Sequence, residues 1–257
     1  AATLLFDVSM LQLAPLYMYT PLLAAAVTVL LSDVGIETLG VRLGRPRWLL
    51  LGAVLPLGLA VLATGVAIAV PGITFSPGTT LLPGVQLPGG IVGTLATVGL
   101  ILVLGVTVNA ALAVGEEVGW RGYLLWELAP MGYVRASIAI GTIWGLWHAP
   151  VIVEGYNYPS FPLVGVLVMT AATITFAFVY TFLVARARSV LAAVFFHGVF
   201  NAAGGLVLAW TQAETAALSQ LIASPVGAAS MVVFLALAGL IVARGVPHLD
   251  REQLFAA

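Results

Sequence analysis

Six side chains that lipid tolerates poorly recur at helical spacings in the middle of this chain. They are Glu116, Glu117 and Arg121 in Glu-Glu-Val-Gly-Trp-Arg, then His148, then His197 and Asn201 in His-Gly-Val-Phe-Asn. Ionisable residues inside membrane helices are costly and mark functional sites by default. Glu117 and Arg121 stand four apart, share a helix face and can pair, so they read first as a structural ion pair. Glu116 points about 100° away from Glu117 around the helix. One cation does not easily neutralise both, and a second carboxylate in a dry helix is a candidate general base. His148, alone in Trp144-Gly-Leu-Trp-His148, reads equally as a hydrogen-bonded packing residue or as a partner of that base, with Trp144 one turn earlier as an aromatic wall. His197 and Asn201 share a face. Together they are able to stabilise a developing oxyanion, or else act as polar glue between helices worth about 0.6 kcal/mol.

These residues need helices to hold them, and the charge-free stretches supply them. Segments without Asp, Glu, Arg or Lys run over 8–32, 48–115, 136–153, 155–185, 189–213 and 215–243. A spanning helix takes about 20 apolar residues, and Pro71–Gly90 reads as a loop that divides the second stretch. The expected fold is all-α: a polytopic transmembrane helical bundle of about seven spans, near 12–32, 48–70, 91–115 (continuing to 129), 136–150, 163–185, 189–210 and 225–243. The whole of 1–257 reads as one integral membrane domain. Counted from helix ends at Ala129, Arg135 and Ser189, Glu116 and His148 lie about 20 Å up, and His197 and Asn201 about 12 and 18 Å, at 1.5 Å per residue. One shared site is the economical reading. Gly115, Gly119, Gly141, Gly145 and Gly198 would let the backbones carrying these residues approach closely.

Of 257 residues, 61% are hydrophobic and only 7% charged, against about 25% charged in soluble domains. The net charge of −1 gives no footprint for nucleic acid, and the absence of cysteine excludes thiol and disulfide chemistry. All nine basic residues are Arg, a composition associated with GC-rich prokaryotes. No basic residue precedes Arg42, so no cleavable signal is expected. With the N-terminus outside and the C-terminus cytoplasmic, every Arg falls at or towards the cytoplasmic face.

Glu116-Glu117-x-x-x-Arg121, Trp144-x-x-x-His148 and His197-x-x-x-Asn201, in that order on successive helices, resemble the motifs of the CPBP family: CAAX prenyl protease 2 (type II CAAX endopeptidase) and bacteriocin-processing enzymes. The resemblance covers 110–205, and Trp144 replaces the family's Phe. It implies a glutamate-type intramembrane endopeptidase in which Glu116 and His148 activate water. His197 and Asn201 would stabilise the oxyanion, while Glu117, Arg121 and Trp144 support the site. It also implies a membrane-associated or prenylated peptide or protein substrate and no cofactor, while the depths counted above put the expected active site within the bilayer towards the cytoplasm. Zinc held by Glu116, His148 and His197 is the less favoured alternative, since the His-Glu-x-x-His spacing of zinc hydrolases is absent. A proton-coupled transporter and a non-catalytic scaffold or immunity protein are the competing functions. A carrier often shows internal repeats, and this chain has none.

Overall fold

The computed structural model describes residues 8–76, 80–82, 85–86 and 90–255. Helix starts follow local chemistry. A capping box of Ser9 and Gln12 opens α1 (Met10–Tyr17). Prolines in the first turn open α2 (Thr20–Leu30), α3 (Pro46–Ile68) and α6 (Pro162–Ala187), where their missing N–H is not needed. α4 runs unbroken from Gly90 to Met131, with π-helical turns at Gly105–Asn109 and Val118–Leu124. α5 spans Tyr133–Val153 with a break at His148, α7 is Leu191–Trp210 and α8 is Ala228–Ala243, led in by a π-helical turn at Leu218–Ala223. A single-turn helix, α9 (Arg251–Leu254), closes the chain.

Among the described residues five helical segments are long and apolar enough to cross a bilayer, and a sixth is counted if α1 and α2, bent by 43°, form one span. The shorter apolar α7 completes the expected set of about seven. This is an integral multi-pass membrane protein of helical-bundle fold. Leu23, Leu50, Leu62, Leu95, Leu163 and Leu167 project outward as lipid-facing surface. The core gathers Phe176, Tyr180, Phe196 and Phe234 between α6, α7 and α8. At Gly198 a Cβ would lie 2.2 Å from the Gly105 carbonyl oxygen, so only glycine lets α7 seat against α4 there.

The two ends of the bundle differ. At one end Arg45 N–H donates to Ala187 O, Val190 N–H to Gly40 O, Ser189 Oγ to Arg42 O, and Arg251 to the Trp126 and Glu127 carbonyls. This is the arginine end. At the other, β1 (Ile73–Phe75) pairs antiparallel with β4 (Thr211–Ala213), and a short hairpin joins β2 (Thr80–Leu82) to β3 (Val85–Gln86). There too Tyr158 Oη donates to Val226 O and Met10 N–H to Glu154. The sequence reads both strand regions as loops, because two- and three-residue strands are too short to show alternation.

Candidate active site

The break in α5 begins the site. Pro150 has no N–H and disturbs the helical ladder, and the His148 N–H turns back to Gly145 O at 3.1 Å. The Trp144 carbonyl, relieved of that bond, meets His148 Nδ1 at 2.8 Å. A carbonyl only accepts, so Nδ1 carries the proton and Nε2 keeps its lone pair in the neutral ring. Trp144 works at both ends, since its indole N–H donates to Glu116 Oε2 at 2.7 Å. An aromatic wall at this position is what the sequence suggests; the link from Glu116 through Trp144 to His148 is additional.

On α4 the neighbouring carboxylates part company. Glu117, fully buried, accepts from Arg121 Nη1 at 3.1 Å and from His197 Nδ1 at 2.8 Å on the same oxygen. The Arg121 guanidinium is sandwiched between Trp144 and Tyr180, 4.1 and 4.5 Å from their ring centres. Cation–π attraction in a dry site offsets part of its lost hydration, as its Nε and Nη2 have no hydrogen-bond partner among the described residues. Glu117 thus knits α4 to α7, whereas Glu116, 2% exposed, faces a cavity.

That cavity holds about 710 Å³ of open space. Glu116, Trp144, His148, His197 and Asn201 all line it; Glu117 and Arg121 lie behind its wall. Three helices therefore bring the four candidate reacting groups to one space. Residues without an intramembrane charge to betray them also line it, among them Tyr17 and Met18 from the first span, Tyr156 and Asn157 from the α5–α6 loop, and Val226 before α8. Tyr17 stacks on Trp147 at 4.3 Å and donates to its carbonyl, which fixes α1 over the site. Tyr156 lies parallel to the His148 ring with centres 6.5 Å apart. A tyrosine phenol keeps its proton at neutral pH, so Tyr156 is an O–H donor at the rim.

Residues 97–203 match the family model described as Type II CAAX prenyl endopeptidase Rce1-like. Over that segment the chain is similar to the Rce1-like family. Neither a curated protein nor a solved structure matches the chain. The Rce1-like segment contains Glu116, Glu117, Arg121, Trp144, His148, His197 and Asn201. Tyr17, Met18 and Val226, which close the cavity, lie outside it.

Replacing Trp144 with Phe tests the new link, because it keeps a ring and deletes the N–H. A hydrogen bond to a charged group contributes about 1.5–3 kcal/mol. If half or more of it orients Glu116 for the reaction, kcat falls about tenfold while KM changes little. Steady-state cleavage by the purified variant reads the split, and a change confined to KM would deny Trp144 that role.

Proposed function

We propose that this protein is an intramembrane endopeptidase that hydrolyses a peptide bond with water activated by Glu116 and His148. The observation carrying this reading is that Glu116, His148, His197 and Asn201, from three helices of a peptidase-family segment, line one cavity. Water gives up a proton to Glu116 as its oxygen attacks the carbonyl carbon, with the free Nε2 of His148 accepting a second hydrogen bond. The tetrahedral oxyanion takes donors from the Asn201 amide and from His197. The His197 ring already donates from Nδ1 to Glu117, so it donates from Nε2 only when doubly protonated. Collapse of the intermediate breaks the C–N bond, and the proton held by Glu116 passes to the leaving amine.

Zinc fits poorly. Among the described residues no three His, Asp or Glu side chains converge as a ligand set. We therefore give Glu116, His148 and His197 acid–base and oxyanion roles, and chelation tests this reading against zinc. The family description makes a prenylated peptide ending in a CAAX sequence the first substrate to try. Purified protein in detergent is expected to cleave a quenched fluorescent farnesylated CAAX peptide at an undiminished rate in excess chelator. Loss of cleavage on chelation, restored by zinc, would sink the metal-independent mechanism. Absence of cleavage before chelation would instead favour the scaffold reading or a different peptide.

A further inference from the structure

The cavity has a closed end and an open end. Along α6 its lining is Met169, Thr173 and Phe176; the next residues towards the arginine end, Tyr180, Leu183, Val184 and Ala187, are fully buried and belong to the core. On α7 the lining stops at His197, and Val190, Ala192 and Ala193 beneath it have no exposed surface. The returning chain seals that end. Val190 and Ser189 bond Gly40 and Arg42, and Phe255 packs so tightly on Gly40 that a Cβ there would lie 2.5 Å from its ring. The opposite rim is open: Tyr156 is 41% exposed, Asn201 is exposed, and Ala14 and Tyr17 are half-buried. The α5 helix agrees, since His148 lies 15 residues from Tyr133 but 5 from Val153, the end that leads into the Tyr156 loop.

Charge orients the bundle. Arg42, Arg45, Arg47, Arg135, Arg186, Arg188, Arg244 and Arg251 all sit at the sealed end, and Arg121 is the buried ninth. The open end carries Glu154 and Glu214 and no basic residue. Arginine-rich segments near span ends are retained in the cytoplasm, so the sealed end faces inward.

We propose that the cavity takes its substrate from the extracytoplasmic side, as an extended peptide segment displayed on or anchored in the outer leaflet. The term substrate rests on the peptidase reading above; the direction of access does not. It differs from the site towards the cytoplasm expected from helix depths counted along the sequence. Tyr17 and Tyr156, bracketing the mouth from α1 and the α5–α6 loop, would flank the incoming chain with one fixed aromatic wall and one exposed ring.

Because the chain has no cysteine, single cysteines report this cleanly. Ser160→Cys marks the open end, Ser32→Cys the sealed end, and Asn201→Cys and Tyr156→Cys the cavity. Intact cells and inverted membrane vesicles are treated with a small charged methanethiosulfonate, then solubilised, denatured and labelled with a fluorescent maleimide. The expected result is loss of later fluorescence at positions 160, 156 and 201 in intact cells, and at position 32 only in inverted vesicles. Blocking of Ser32→Cys in intact cells together with blocking of Ser160→Cys only in inverted vesicles would overturn the orientation. Blocking of Asn201→Cys and Tyr156→Cys only in inverted vesicles, or in neither preparation, would overturn the access route. Denatured labelling confirms that each variant was made. No step requires turnover, so a failed cleavage assay and a failed direction of access are told apart.

Discussion

Glu116→Gln is expected to lower kcat for peptide cleavage about 10²–10⁴-fold, the range lost when a general base is removed. The substitution nearly preserves shape, and the new amide oxygen still accepts the Trp144 N–H that now reaches Glu116 Oε2 at 2.7 Å. What disappears is the ability to take a proton from water. The cavity walls and the Glu117–Arg121–His197 cluster are untouched, so KM and thermal stability should stay close to the parent values. In barrier terms the loss is about 2.7–5.5 kcal/mol, too large for a disturbed hydrogen bond. Steady-state kinetics with a thermal melt decides it. Activity within about tenfold of the parent would move the base elsewhere, first to His148, whose Nε2 is the next unprotonated group in the cavity.

The helical frame and the polar residues that line the cavity were largely legible in the sequence, and for different reasons. Spans declare themselves because lipid excludes charge: the 48–115 stretch contains α3, a Pro- and Gly-rich turn region and the first half of α4. The same exclusion makes Glu116, His148, His197 and Asn201 conspicuous, and helix periodicity alone separates the face of Glu116 from that of Glu117. Tertiary partners were not legible. Glu117 and His197 are 80 residues apart, and no local spacing brings Nδ1 to Oε1. Trp144 could be read as a shield from its ring, but its N–H has no visible destination until α4 and α5 pack. Tyr17, Tyr156 and Val226 are ordinary residues whose place in the cavity depends on a bend in the first span, a loop and the start of α8. The direction of the opening was obscured for a similar reason. A depth counted from the nearest Arg measures height in the bundle, but says nothing of which end the returning chain and Phe255 cover.

Removing Arg121 should produce the largest loss of stability. Arg121→Met leaves Glu117 fully buried with His197 as its remaining hydrogen-bonded partner, and breaking one side of a buried pair costs about 3–5 kcal/mol. Glu117→Leu should cost a similar amount by the opposite route, stranding a guanidinium between Trp144 and Tyr180. The double variant separates charge from shape. With both ions gone no charge of the pair is left unpaired, although His197 Nδ1 loses its acceptor, and apolar replacements of similar volume can recover much of the loss, so its destabilisation should fall well below the sum of the single ones. Denaturant or thermal unfolding in one detergent measures all four proteins. Cleavage should not recover with stability, because the carboxylate that orients His197 through Nδ1 is absent from the double variant. Strict additivity of the single losses would mean that the pair is not energetically coupled. A stable and active double variant would show that neither Glu117 nor its hold on His197 is needed for the reaction.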